Sequence, residues 1–288
     1  MKYDRHLTTK PSAGYELLDS GENMKLERFG EVITARPETQ ALWEKRTPER
    51  WDNASAIFAF GGETKGSWDL RKPLPEDWEA AWGETKLGAK LTNFKHTGIF
   101  PEQAPNWEWS REQIQKLDAP KVLNLFGYTG AASVVAAQAG AKVTHVDASK
   151  QSLDWARDNA HRSGLEGDSI RWLADDALAF AKREARRGNK YEGIILDPPA
   201  FGRGAKGEVW KIEEDLPALL TTLKELLSDA PGSFFLLNGY AAGYAPRSFA
   251  QAVESVFGDV EGECGELYIE ESEGARVIPA GIYVRFVR

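Results

Sequence analysis

The segment "VLNLFGYTGAASVVAAQAGAKVTHVD", Val122 to Asp147, constrains the fold more than any other part of the chain. A short apolar run meets a tight turn with glycines at 127 and 130. A helix of small residues follows, and a second apolar run closes on an aspartate. Apolar runs of that length, bounded by glycine, read as buried strands, and small side chains let the intervening helix pack closely. Strand, turn, helix, strand is the right-handed crossover from which parallel sheets are built.

The same texture continues to the C-terminus. "SKQSLDWARDNAHRSGL" predicts a helix with Ser149 as N-cap, Leu153, Ala156 and Ala160 on one face, and Gly164 as its stop. "SIRWLADD", "YEGIILDPP" and "GSFFLLNGY" read as strands, separated by the helices "ALAFAKREARRGN" and "LPALLTTLKELLSD". After the helix "PRSFAQAVESVFGD", the strands "GELYIEES" and "AGIYVRFVR" follow with no helix between them, which predicts a terminal antiparallel hairpin. The fold class expected is α/β, a doubly wound Rossmann-like sheet with that hairpin. Upstream, "YELLDSG", "KLERFGEVITARP" and "ASAIFAF" alternate with Gly, Pro and Asn. They predict a small β-rich N-terminal domain over residues 1–94, before the sheet domain over 95–288. Tryptophans crowd its second half, where they are expected to fill a sparse core.

Composition excludes several classes. No run approaches the roughly 18 apolar residues of a membrane span, and "MKYDRHLTTKPSAGYELL" lacks a signal-peptide core. One cysteine, Cys264, rules out an internal disulfide framework and a cysteine-based zinc site. The expectation is a cytoplasmic protein with no metal and no membrane partner. A net charge of −8 argues against coating nucleic acid by charge alone. Between Glu254 and Glu273 stand eight acidic residues and no Lys or Arg, which reads as a solvated face.

Ligands of such sheets bind beyond the carboxyl ends of the strands. Gly127 and Gly130 are expected to bring backbone close to a ligand there, ahead of helix N-terminal amides. Asp147, at the end of the next strand, suits both hydroxyls of a ribose. A dinucleotide site carries Gly-x-Gly-x-x-Gly, whose second glycine makes room for a pyrophosphate. Here Tyr128 and Thr129 fill a Gly-x-x-Gly gap. An adenosine with a compact amino-acid tail fits better, which points to S-adenosylmethionine. Asp175, Asp176 and Ala177 end the third strand, where an acid, Asp176 by its place before the helix, can accept the adenine amine. "ILDPPAF" ends the fourth.

On "VLNLFGYTGAASVVAAQAGA", "VTHVDASKQSLDWARDNA", "WLADDALAF" and "IILDPPAFGRG", the sequence resembles class I S-adenosylmethionine-dependent methyltransferases. Within them it is similar to the branch of bacterial large-subunit ribosomal RNA methyltransferases acting on cytosine C5 or guanine N7. "GIFPEQ" looks like that family's segment before the sheet, with an aromatic and a glutamine near the cofactor. The resemblance spans roughly Lys95 to Arg288. It implies a cofactor set of Phe100, Gln103, Asn124, Phe126, Gly127, Tyr128, Thr129, Gly130, Asp147, Ala148, Ser149, Asp175, Asp176, Ala177 and Asp197. It also implies an RNA substrate, although the N-terminal residues do not look like the RNA-binding PUA domain of many such enzymes.

The candidate catalytic residues are Asp197, Pro198, Pro199, Phe201, Asn238 and Tyr240. Two consecutive prolines fix the backbone and free their carbonyls. A carbonyl and a carboxylate there can accept from an amine or a ring N–H. Phe201 is placed to stack on a flipped base, although Ala200 separates it from the second proline. Carbon-5 chemistry on cytosine needs a thiolate nucleophile. The C5 branch carries its cysteine after the fifth strand, and here that place reads "LLNGYAAGY". Cys264 is expected to be a buried apolar residue. Transfer to nitrogen or oxygen needs only alignment and proton removal, to which Asp197, Asn238 and Tyr240 are suited. The loop "FGRGAKGEVWKIEED" reads as a flexible lid, with Arg203 and Lys206 as substrate contacts. "KREARRGNK" reads as a solvated helix end. His96 is open between a structural and a substrate-contacting role.

The function expected is a methyltransferase acting on RNA, ribosomal by the resemblance, at a base nitrogen. The alternative acceptor is a protein side chain or small molecule. A nicotinamide oxidoreductase and a non-catalytic cofactor-sensing module fit less well. Oligomeric state is not readable from the sequence.

Overall fold

A computed structural model describes residues 1–60, 66–204, 207–240 and 243–288. β1 (Lys2–Thr9) is followed by β2 (Tyr15–Gly21), β3 (Met24–Phe29), β4 (Val32–Pro37), β5 (Ala56–Phe60), β6 (Gly66–Leu70), β7 (Trp78–Trp82) and β8 (Thr85–Ala89). Then come α1 (Ala104–Ile114), β9 (Lys121–Leu125), α2 (Ala131–Gln138), β10 (Lys142–Asp147), α3 (Lys150–Arg162), β11 (Ile170–Ala174), α4 (Ala177–Arg186) and β12 (Gly193–Leu196). The chain closes with β13 (Phe201–Arg203), β14 (Val209–Lys211), α5 (Ile212–Leu226), β15 (Phe234–Gly239), α6 (Pro246–Phe257), β16 (Gly262–Glu270) and β17 (Val277–Val287).

Two compact units result. One contains Met1–Leu7, Pro105–Leu267 and Gly281–Arg288; the other contains Thr8–Ala104 and Tyr268–Ala280. The first is built on an eight-stranded sheet in the order β1-β16-β17-β15-β12-β9-β10-β11. β15, β12, β9, β10 and β11 are parallel neighbours, and β17 runs antiparallel to β15. β16 and β17 are adjacent and joined by six residues, too few for a parallel crossover, so they form the expected hairpin. Strand order reverses between β9 and β12, which is the switch point of the sheet.

Alternation along the strands sorts the core into two layers. Leu123, Leu125, Val146, Ile194, Leu196, Phe235 and Leu237 bury against residues of α4, α5 and α6. Val122, Val143, Ile170, Ile195, Phe234 and Leu236 bury on the other face, with residues of α1, α2 and α3. Ser149 caps α3 by accepting from the Ser152 N–H at 3.1 Å. Leu153, Ala156 and Ala160 are its buried stripe.

The smaller unit holds a five-stranded sheet, β2-β3-β4-β5-β6, and the ribbon β7-β8. Its interior is unusually ionic. Glu27 is fully buried, and Arg36 donates to both its oxygens, with Nε at 2.5 Å and Nη2 at 3.0 Å. Burial pushes the Glu27 carboxyl up, but Arg36 and Lys25 beside it hold it at about 2. Tryptophans act here as struts as well as filler. Trp78 is buried, while Trp51 and Trp68 donate to the Asp19 carboxylate and the Thr92 carbonyl, each at 2.8 Å.

Two expectations need correction. The acidic stretch is not simply a solvated face: Glu271 is 2% exposed, accepts from Ser20 at 2.5 Å and pairs with Arg46 at 2.8 Å. Within the same stretch Glu263 pairs with Arg285. The segment after "LDPPAF" is not an open loop in its described part. β13 and β14 pair antiparallel, because Trp210 buries beneath them and anchors the ribbon.

Candidate active site

The turn after β9 stores backbone strain. Phe126, Tyr128 and Gly130 have φ of 56°, 49° and 85°, while Gly127 and Thr129 between them do not. Left-handed backbone at a bulky residue costs about 1–2 kcal/mol and persists where surroundings impose it. Those surroundings are specific. The Gly127 N–H donates to the Val146 carbonyl at 3.1 Å, the Tyr128 N–H to Asp147 Oδ2 at 2.8 Å, and the Gly130 N–H to the Gly127 carbonyl at 2.9 Å. Asn159 of α3, fully buried, donates to the Thr129 carbonyl at 2.8 Å. The turn is braced by the protein itself before any ligand contributes.

The two glycines serve packing. A Cβ on Gly127 would lie 2.3 Å from Cε1 of His145, and one on Gly130 would lie 2.8 Å from the Ala156 Cβ. His145 is fully buried on β10, its ring 4.9 Å from that of Trp172. Asn124 donates to the Ser133 hydroxyl at 2.8 Å, and the Ser133 oxygen lies 2.9 Å from His145 Nδ1. Among the described residues His145 Nε2 has no hydrogen-bond partner. Burial, with a smaller contribution from Arg157, holds this imidazole neutral with a pKa of about 3. Neither His145, Ser133 nor Asn159 was singled out from sequence. The one signal was a histidine at an inward position of the run "KVTHVD".

Asp147 ends β10 with Oδ2 held by the Tyr128 N–H and Oδ1 by the Ser149 N–H, both at 2.8 Å. Burial raises its carboxyl above the ordinary range, and those two amides offset part of the rise. Ala148 is half-buried beside it. At the end of β11, Asp175 is committed to Arg183 and to the Asp176 N–H. Asp176 caps α4 by accepting from Ala179 at 2.8 Å, with Ala177 buried as the first helical residue.

After β12, Asp197 is half-buried, Pro198 buried and Pro199 exposed. Trp210 donates its indole N–H to the Pro199 carbonyl at 2.7 Å and packs its ring 4.8 Å from that of Phe126. Of the two proline carbonyls, that of Pro199 therefore already accepts one hydrogen bond within the protein. Trp210 ties the Asp-Pro-Pro motif to the glycine turn, a role the sequence did not disclose. Phe201 is 55% exposed with the Arg203 guanidinium 5.9 Å above its ring, and Tyr240 is 48% exposed. Lys206 lies outside the described residues. Asn238, at the end of β15, is 5% exposed and accepts from Asn106 Nδ2 through Oδ1 at 2.8 Å. Its one acceptor atom is thereby engaged, which restricts the part in proton removal expected of it. Cys264 is buried in the sheet core, and burial raises its thiol pKa.

The ends of β9, β10, β11, β12 and β15 thus bring together the expected residues of the larger unit. Phe100 and Gln103 belong to the smaller unit. There His96 rests 5.2 Å from the Phe100 ring, and burial, then Arg36 and Lys95, lower its pKa to about 3. Among the described residues the buried Gln103 Oε1 has no hydrogen-bond partner. The larger unit's donor set fits S-adenosylmethionine: an oriented carboxylate for a ribose diol, a second strand-end acid for an adenine amine, and a braced turn between them. Among the described residues, no group of three or more His, Cys, Asp or Glu is arranged to hold a metal.

A family model described as S-adenosylmethionine-dependent methyltransferase matches residues 53–255 and so reaches into the smaller unit. The chain is similar to the crystal structure of a SAM-dependent methyltransferase from Agrobacterium tumefaciens, with a TM-score of 0.93 and 39% identity over 99% of this chain and 95% of that one. A methyltransferase complexed with SAH shares the fold, with a TM-score of 0.72 and 21% identity over 95% of this chain and 75% of that one. Among curated proteins, "Ribosomal RNA large subunit methyltransferase K/L" of Shewanella frigidimarina is 36% identical over 146 residues, half of this chain and 20% of its own length. Its counterpart from Shewanella amazonensis is 37% identical over 201 residues, 68% of this chain. The chain spans between a fifth and 28% of the length of these two relatives.

Proposed function

From the premise that the chain belongs to the S-adenosylmethionine-dependent methyltransferase family, we propose that it methylates RNA, ribosomal by preference, at a base nitrogen. Enzyme class and cofactor follow from the family; the acceptor is the proposal. The observation that carries it is the end of β12, where Asp197-Pro198-Pro199 stands beside Asn238 with no thiol after β15. Cys264 is in the core with a raised pKa, so the nucleophile that carbon-5 transfer requires is missing from both places. Nitrogen transfer needs a lone pair aligned with the methyl group and a sink for a proton.

In this reading Asp147 holds the ribose, Asp176 and the Ala177 amide hold the adenine, and the turn Phe126–Gly130 seats the amino-acid tail. Asn124, Ala148, Ser149 and Asp175 shape that pocket from behind. Asp197 and the Pro198 carbonyl meet the acceptor, Phe201 and Tyr240 offer exposed rings for a flipped base, and Arg203 with Lys206 meets phosphate. Residues 1–94 serve as substrate reader and 95–288 as transferase, in the cytoplasm. The relatives named for large-subunit ribosomal RNA support an RNA acceptor.

The test is transfer of radiolabelled methyl from S-adenosylmethionine to total RNA from a strain lacking this protein, with Asp197→Ala as control. Label in large ribosomal RNA that disappears with the variant supports the proposal. A protein that binds the cofactor yet labels no RNA refutes the RNA acceptor. The chain's net charge of −8 then favours a protein or small-molecule acceptor.

A further inference from the structure

A chain of hydrogen bonds with a fixed direction ends at Asn238. It starts at Glu263 on β16, whose Oε1 accepts from Arg285 Nε of β17 at 2.9 Å and from Nη2. Arg285 is 8% exposed, and its guanidinium carbon lies 4.9 Å from the Trp109 ring centroid and 5.1 Å from that of Tyr283. A guanidinium offers donors only. The Asn106 atom 3.0 Å from Arg285 Nη1 must therefore be the amide oxygen. Asn106 is fully buried and cannot turn its amide toward water. Its other arm, the NH2 group, then faces Asn238 at 2.8 Å, so the Asn238 atom there must be the oxygen. Charge at Glu263 and Arg285 thus dictates the orientation of two neutral amides in succession. The NH2 of Asn238 is left pointing elsewhere.

Asn238 stands at the strand end where the proposed function places the acceptor. Leu196 and Leu237 are paired across β12 and β15, so the residues following them, Asp197 and Asn238, stand side by side. Ile195 and Leu236 bury in the same layer, and by alternation Asp197 and Asn238 leave the two strands toward that same face. The Asn238 side chain makes no further hydrogen bond with the described residues.

We propose that Asn238 determines specificity by donating its amide N–H to a lone-pair atom of the target base, a carbonyl oxygen or unprotonated ring nitrogen, next to the atom that is methylated. Asn106, Arg285 and Glu263 are positioning residues that act through it. The inference rests on the reading of Asp197-Pro198 as the place where the acceptor base is held. An exocyclic amine is rejected at the Asn238 position, because donor would face donor. A site built for a hydrogen bond discriminates strongly against a group that leaves its polar atoms unpaired.

Asn106→Asp isolates the effect. The carboxylate keeps an oxygen for Arg285 and the same shape, but has no N–H for Asn238. Asn238 must then turn its NH2 toward residue 106 and present its oxygen to the base. Asn238→Asp removes the same donor directly. With large-subunit ribosomal RNA from the deletion strain as acceptor, both variants should lose at least about 10-fold in kcat, the scale of one mismatched donor in a transition state. Calorimetric affinity for S-adenosylmethionine should stay at the wild-type value in both variants, while the carboxylate that Asn106→Asp buries lowers Tm. A wild-type kcat in both variants overturns the inference, since a residue serving the fold alone would lower Tm without lowering kcat. If wild-type protein labels no RNA, the RNA reading fails on its own. Crystal structures of wild type and Asn106→Asp at about 1.2 Å, where amide nitrogen and oxygen are distinguishable, then decide the relay. An unreversed Asn238 amide overturns it.

Discussion

Replacing Gly127 with alanine tests whether His145 sets the shape of the glycine turn. The new Cβ would sit 2.3, 2.5 and 2.8 Å from Cε1, Nδ1 and Nε2 of the imidazole, whereas ordinary contact begins near 3.4 Å. The ring must give by about 1 Å, yet it is fully buried, tied to Ser133 at 2.9 Å and backed by Trp172. Overpacking of this kind costs about 1–3 kcal/mol, which for a unit of this size lowers Tm by about 2–12 °C. Part of the strain will push the turn outward, so affinity for S-adenosylmethionine should fall about tenfold or more. His145→Ala alone leaves a cavity and costs about 2–4 kcal/mol. Combined, the two changes should be less damaging than their sum by about 1 kcal/mol or more, because the alanine grows into the space vacated by the ring. The assay is a double-mutant cycle by thermal unfolding and calorimetry. Additivity within about 0.5 kcal/mol would refute the claim that ring and turn share one space.

Other consequences can be measured with single variants. Asp147→Asn keeps one oxygen for a backbone amide and turns an NH2 against the other, so the Kd for S-adenosylmethionine should rise about 10- to 100-fold by calorimetry. Trp210→Phe keeps the ring against Phe126 but removes the donor to the Pro199 carbonyl; kcat should fall severalfold with cofactor affinity little changed. In the smaller unit, Glu27→Gln leaves buried Arg36 without its counter-charge and should cost about 3–5 kcal/mol of stability, read as a lowered Tm. His145 and His96 have folded pKa values of about 3 against an ordinary 6.5, so below 6.5 the unfolded chain binds protons that the folded one refuses. Stability present at neutral pH should be lost as pH falls from 6.5 toward 3, by about 1.4 kcal/mol per pH unit for each histidine. His145→Gln should remove one histidine's share of that slope in denaturant titrations.

Much of the fold was legible because burial acts residue by residue along a regular element. Apolar runs bounded by glycine announced β9, β10, β11, β12 and β15, and Ser149 announced the start of α3. The placement of Asp147, Asp176 and Asp197 at or just past strand ends was legible for the same reason: a carboxylate that closes an apolar run stands at the carboxyl edge of the sheet. Long-range partners were not legible. Asn106 meets Asn238 and Arg285 across 132 and 179 residues of chain, and no local pattern reports such a meeting. Gly127 looked like a glycine kept small for a ligand, yet the group that fills its space is an imidazole from the neighbouring strand. Trp210 looked like part of a mobile loop, and it turned out to brace the Asp-Pro-Pro segment. The sequence by itself determined the layer order and the chemistry offered at each strand end, because periodicity and termination are local properties of a chain. Only the tertiary structure decided which polar atoms remain available at those ends, because a hydrogen bond spends a donor or acceptor on a partner that only packing selects.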